Sequence, residues 1–270
     1  MKRILCLTGL ATFVLLAGVS CKQDKKNAPA ASGIDTLKTE AFVEAKTLKL
    51  KKDYQVEYSL SVEYADDERL NPVVADSINC AIAQAMFGKR DPQVKALAIA
   101  EESKVREWFE EGIWEGDEDD EEEDAFMKEG EWQASGEFSH TAPEGYTNYN
   151  IAGYQYFFGA AHGYYYFLPI VIDLGTGCRV HETQLFRPGY QEAVSALLLK
   201  YLEENEEYEE GMLWEEGIHP NDNFTLNKDG ITYYYNPYEI AAYVYGLIAV
   251  DIPAADLQPL LAEKYKDIWK

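Results

Sequence analysis

The sequence predicts an α+β fold, antiparallel sheets with packed helices, arranged as two intimately associated subdomains. Three observations carry this. Tyr54, Val56, Tyr58, Leu60, Val62 and Tyr64 alternate without a miss against polar neighbours, the period of a half-buried strand. Two capped helical segments then follow as a pair instead of alternating singly with strands. Finally, Phe224 to Pro253 reads as hairpin, turn and closing strand. Phe224 and Leu226 alternate with polar residues, Asn227-Lys228-Asp229-Gly230 supplies turn chemistry, Ile231, Tyr233 and Tyr235 alternate again, and Ile248, Val250 and Ile252 lead to Pro253. Strands and helices in groups indicate hairpins and not βαβ repeats.

Taken in order, residues 1–20 form a secretory leader. Lys2 and Arg3 make its basic start, Ile4 to Leu16 its apolar run, and Ala17-Gly18-Val19-Ser20 a small-residue site before Cys21. A cysteine there resembles a bacterial lipobox, in which the thiol is diacylated and anchors the chain to a membrane; Gly18 departs from the usual leucine-like residue. Residues 21–40 are polar, small and proline-containing, as a flexible tether requires. A first module, 41–128, holds a short strand over 42–50, the alternating strand, a helix capped by Asn71-Pro72 and ended by Gly88, and a second helix opened by Asp91-Pro92. Val74, Ile78, Ala81, Ile82, Ala85 and Met86 are the inward residues of the first helix, and Val94, Leu97, Ala98, Val105, Trp108 and Phe109 those of the second.

The second module, 129–270, begins with Trp132, Ala134 and Phe138 in alternation and continues as a meander from Tyr146 to Phe158 and from Tyr164 to Leu174. The last of these is apolar on both faces, so it is a covered central strand. Pro188 opens a helix with Val194, Leu197, Leu198, Tyr201 and Leu202 inward. Asn236 as N-cap, Pro237 at N1 and Glu239 at N3 predict a short helix from Tyr238 to Tyr245. Asp256 caps a last helix with Leu257, Leu260 and Leu261.

The formal charge is −24, and losing the leader's two cations makes it −26. Such a field repels nucleic acid and attracts basic partners, the more so at low salt. Asp117 to Asp124 is an unbroken acidic run, and Glu203 to Glu216 adds eight carboxylates. Cys80 and Cys178 can pair in an oxidising envelope, although Cys80 falls on an apolar helix face where a buried thiol is equally at home.

No cofactor is indicated. Among His140, His162, His181 and His219 no spacing matches a metal site, no nucleophile elbow or phosphate loop follows a strand, and the acidic run lacks the glycine and spaced ligands of a calcium loop. His162, in Gly159-Ala160-Ala161-His162-Gly163, sits at a strand junction where a side chain can be displayed for chemistry or can bond the turn's backbone; the turn role is the better supported. Thirteen of the twenty tyrosines crowd into 146–166 and 233–245. Antiparallel strands favour tyrosine for packing, and exposed tyrosines also make a contact platform at low entropic cost. On the platform reading His162, Tyr164, Tyr235, Pro237 and Tyr238 are the candidate ligand-binding residues.

The glycine–histidine junction running into YYYFLPIVIDLGTGCRV, together with FTLNKDGITYYYNPYEIAAYVYGLIAVDIP, resembles the RsiV-like extracytoplasmic domain family. That domain of unknown function also precedes the catalytic domain of PdaC-type peptidoglycan deacetylases. The likeness spans about 138–261, and 42–109 resembles the module that usually precedes it; Ala160 and the EIAAYV run depart from the family pattern. The resemblance implies a stand-alone, non-enzymatic envelope lipoprotein that binds a lysozyme-like protein or cell-wall glycan. A rival reading is a glycan hydrolase or deacetylase-associated enzyme using His162 with a carboxylate as acid and base.

Overall fold

In the computed structural model, residues 37–113, 128–205 and 208–270 are described. The leader, Cys21, most of the tether and the Asp117–Asp124 run lie outside the described residues. Strand β1 (Thr39–Lys49) takes over where the tether was expected to end, and pairs antiparallel along its whole length with β2 (Gln55–Ala65). The even-numbered residues of β2 that alternate in sequence are the buried ones, with Val56, Tyr58, Leu60 and Val62 almost wholly removed from water.

Helix α1 (Pro72–Phe87) begins and ends where its caps dictate. The Asn71 side chain accepts the Val73 amide, Pro72 occupies the first turn, and Gly88 closes the helix in the left-handed conformation at φ 67°. Helix α2 (Val94–Glu111) buries Val94, Ala98, Val105 and Phe109. Trp108, expected inward, is 43% exposed because it leans on Phe109 and Phe157 from the rim. The two helices carry the chain across the sheet, so β3 (Glu129–Ser139) returns parallel to β2, Gln55 beside Glu129 and Val62 beside Gly136. This one parallel pair is the departure from an all-antiparallel arrangement. A hairpin cannot join parallel neighbours, and the α1–α2 pair supplies the crossover they need.

From β3 the sheet continues antiparallel through β4 (Tyr146–Tyr156) to β5 (Tyr164–Phe167), β6 (Ile170–Asp173) and β7 (Cys178–Val180), giving seven strands. The strand expected over Tyr164–Leu174 is interrupted at Leu168-Pro169. Proline has no amide to give the ladder, and Leu168 alone keeps contact by donating its amide to Ile151 O. β5 and β6 nonetheless keep the expected faces. Ile170 and Ile172 belong to the apolar core beneath α1 and α2, and Val171 to the core on the other side. At the β6–β7 turn Gly177, with φ 71°, approaches α1 so closely that an added Cβ would stand 2.4 Å from Val74 O. No disulfide joins Cys80 to Cys178. The Cys178 thiol instead donates weakly to Thr176 O, and burial raises the Cys80 pKa.

After the single turn α3 (Glu182–Leu185) and helix α4 (Gln191–Glu203), strands β8 (Phe224–Asn227), β9 (Gly230–Tyr235) and β10 (Ile248–Pro253) form a second, three-stranded sheet with β9 in the middle. Helix α4 covers this sheet with Val194, Leu198 and Leu202. The helix expected over Tyr238–Tyr245 does not form. Glu239 bonds back to the Asn236 amide at 2.9 Å, as a capping box demands, but the Asn236 oxygen is taken by Phe167 N at 2.7 Å. Tyr238 then turns to φ 69° and only one 3-10 turn, Tyr243–Tyr245, follows. The last helix is likewise broken. Helix α5 (Ala254–Leu257) starts at Pro253, and Asp256 accepts from Tyr201 and Lys200 instead of capping.

The two sheets meet through asparagine. Asn148, fully buried on β4, donates to Leu226 O at 2.8 Å and accepts from Leu226 N at 3.0 Å, so its amide stands in for one residue of a pairing strand. Asn79 does the same from α1 to Ala65 at the end of β2. Replacing Asn148 by Leu leaves a buried N–H and a buried C=O of β8 unpaired, each costing about 1–3 kcal/mol. Urea unfolding should therefore show Asn148→Leu less stable by about 3 kcal/mol, and a loss below about 1 kcal/mol contradicts the bridging role.

Candidate functional site

The junction between β4 and β5 is built by two glycines with different tasks. Gly159 takes φ 66° and makes the turn. Gly163 is there for space. The Tyr154 ring lies across it, and a Cβ at Gly163 would stand 2.2 Å from the Tyr154 oxygen. With the junction pressed flat, His162 points away from the sheet and is exposed.

Its ring is fully engaged. Nδ1 lies 3.0 Å from Gly163 O, a carbonyl that can only accept, so Nδ1 carries the proton. Nε2 then holds the lone pair and accepts the Tyr238 hydroxyl at 3.2 Å. The imidazole face stacks on Tyr243 with centroids 4.0 Å apart, and the Tyr243 hydroxyl donates to the same Gly163 carbonyl at 2.8 Å. Thus the two sequence stretches come together as one unit. Tyr165, edge-on to Tyr243, and the exposed Val244 complete an open depression of about 660 Å³. Tyr238 is 53% and Val244 84% exposed. A non-glycine residue with positive φ is uncommon and strained, and Tyr238 is held so by the Asn236–Glu239 bond beside it.

Of the five candidate residues, His162 and Tyr238 share this shelf. Tyr235 does not. It is 1% exposed and its hydroxyl is spent on His219 O at 2.7 Å, because strand alternation turns it into the core beneath α4. Pro237 is also buried. Tyr164 is half-buried on β5; burial first and the charge of Glu239 second raise its pKa. Tyr243, Tyr165 and Val244 were not singled out in the sequence. The stop at Gly246, which leaves Tyr243 and Val244 in a short exposed turn, was the signal available.

The sequence reading also passed over a polar cluster behind the small sheet. Asp222, at φ 59°, accepts Glu182 N at 2.9 Å, His181 Nδ1 at 2.6 Å and Arg179 at 3.0 Å. Glu182 reciprocates by accepting Asp222 N at 2.8 Å and Tyr190 OH at 3.0 Å. Burial works to raise the Asp222 carboxyl, but the His181 bond, the Arg179 charge and the Glu182 amide outweigh it, and its pKa is lowered. Glu182, 4% exposed and without a cation, is raised by burial. These two carboxylates tie the start of α3 to the loop before β8. His162 makes its bonds elsewhere, to Gly163 and Tyr238, and among the described residues no carboxylate bonds it. No cluster of three or more histidine, cysteine or acidic ligands is present among the described residues, nor is any helix among them long and apolar enough to cross a membrane.

Part of the shelf and part of the clasp fall in one stretch of the chain. Residues 183–255 match the family model "Protein of unknown function (DUF3298)". The matched stretch holds α4, the three-stranded sheet, Asp222, Tyr238 and Tyr243, while His162 and Glu182 precede it. The fold agrees. A DUF3298 family member from Bacteroides fragilis superposes with a TM-score of 0.75 at 21% identity, covering 91% of this chain and 99% of that one. A second, from Pseudomonas aeruginosa, gives 0.59 at 16% identity, covering 86% and 97%. No curated relative matches by sequence.

The clasp predicts a pH signature. A carboxyl with a lowered folded pKa adds stability above its ordinary value, 3.8, and that contribution is lost as pH falls through the lower folded value. Asp222→Asn should thus cost about 1–2 kcal/mol at neutral pH, and the difference from the unsubstituted protein should shrink under acid. A pH-independent difference in thermal unfolding would count against an ionised Asp222.

Proposed function

We propose that the chain is an RsiV-like, lipid-anchored binding domain outside the cytoplasmic membrane, which holds a basic, lysozyme-like protein on the His162–Tyr238–Tyr243 shelf and performs no chemistry on it. The observation that carries this reading is how the shelf spends its polar atoms. Both imidazole nitrogens and the Tyr243 hydroxyl bond within the protein, leaving ring faces and Val244 to the outside. A general base needs a free lone pair aimed at substrate, and His162 Nε2 already accepts from Tyr238. A glycan takes ring stacking together with hydrogen bonds to its hydroxyls, and the shelf offers chiefly the first. An apolar or aromatic side chain of a protein asks only for the surface that is there.

Charge supports the same partner. A protein at −26 draws a basic one by steering, with an on-rate that salt suppresses. Calorimetry of the mature chain, made soluble by Cys21→Ala, should give heat with a c-type lysozyme and weaker binding as salt rises. Tyr238→Ala should lower affinity at least about tenfold. Peptidoglycan fragments in the same cell separate the glycan reading. Heat with fragments but none with lysozyme moves the proposal to sugar, and no heat with either removes both.

The anchor has its own test. Expressed from the full-length gene in a bacterium, the unsubstituted chain should partition with membranes and Cys21→Ala should be released; equal membrane retention of both rules out acylation of Cys21.

A further inference from the structure

On the sheet face beneath α1 and α2, one row of residues runs Leu60, Ala134, Gly153 and Tyr166 across β2, β3, β4 and β5. Its two central members are small. The Tyr166 ring fills the gap over Gly153, where a Cβ would stand 2.2 Å from it. Ala134 on the sheet and Ala85 on α1, both small, line the space beside it. What is left is a cavity of about 180 Å³, walled by Trp132, Met86, Leu60 and Tyr166. Leu168, 41% exposed, stands at its edge, where Pro169 breaks the strand.

Most of its lining is aliphatic or aromatic side chain, a wall from which apolar contact with a guest releases poorly held water. The single charged group on the wall is Glu101, and Lys104 already pairs with it. An ion entering would surrender water and meet, as the one charged group, a carboxylate that Lys104 already holds. Aromatic rings and a methionine sulfur are soft, adaptable surfaces for an apolar guest.

We propose that this cavity is a binding site for a small uncharged aromatic or branched aliphatic molecule, admitted past Leu168. An engineered apolar cavity of about 150 Å³ in another protein holds benzene, so a guest of about six to eight heavy atoms fits this one. The site is separate from the His162 shelf and does not depend on the function proposed for it.

Benzene is the probe, with tetramethylammonium as the charged control, on the mature Cys21→Ala chain. Benzene near saturation should raise the thermal midpoint by about 5–10 °C and shift the Trp132 indole resonance, and tetramethylammonium should do neither. Ala134→Leu, which fills the void from the sheet, should abolish the benzene shift. Ala85→Leu does so from the helix side and serves if the first variant folds poorly. No saturable shift in the parent chain, an equal shift with tetramethylammonium, or an undiminished benzene shift in a folded filled variant overturns the assignment.

Discussion

The amide of Asn148 is the contact on which the arrangement of this protein depends. The seven-stranded and three-stranded sheets share no ladder, and a strand edge brought against another layer without partners carries unpaired backbone groups. One asparagine solves this by giving Leu226 both a donor and an acceptor. Asn236 and Asn223 repeat the device at β5 by bonding the Phe167 amide and carbonyl. The small sheet is thus held to β4 at one end and to β5 at the other. That pairing sets the His162 junction beside Tyr238 and Tyr243.

The shelf follows from these constraints. The Asn236 oxygen that would have capped a helix is used to dock β5, so the chain after Pro237 becomes an irregular turn that buries Ile240 and Ala241 and leaves Tyr238 and Val244 outside. Tyr238 and Val244 are exposed because no helix forms to fold them back. Contact surface is thereby generated from residues that a regular helix would have packed. The Glu182–Asp222 clasp steadies the loop leading into β8 from the opposite side, with one carboxyl kept ionised by cations and the other set among tyrosines.

Several tyrosines that look alike in sequence do different work. Tyr149 and Tyr233 are buried wholly, and burial raises the pKa of each. Tyr154 and Tyr166 lie across Gly163, in the β4–β5 junction, and Gly153, on β4, where a side chain would collide with them. Tyr238 alone among the predicted tyrosines reaches the surface as a contact residue. Density of tyrosine therefore marks the right region, since a ring that packs and a hydroxyl that stays wet suit both tasks, without telling one task from the other.

What the sequence by itself determined is local. Alternation set the faces of β2 and β9, Asn71 and Gly88 set the ends of α1, and turn chemistry set the β8–β9 hairpin, because these depend on backbone geometry within a few residues. Tertiary structure alone decided the parallel return of β3, the lost helix at Tyr238 and the company His162 keeps. Each of those turns on a hydrogen bond or a close contact between residues far apart in the chain, above all Asn236 with Phe167. A capping residue promises its oxygen to whichever amide folding brings nearest, and only the assembled sheets settle which amide that is.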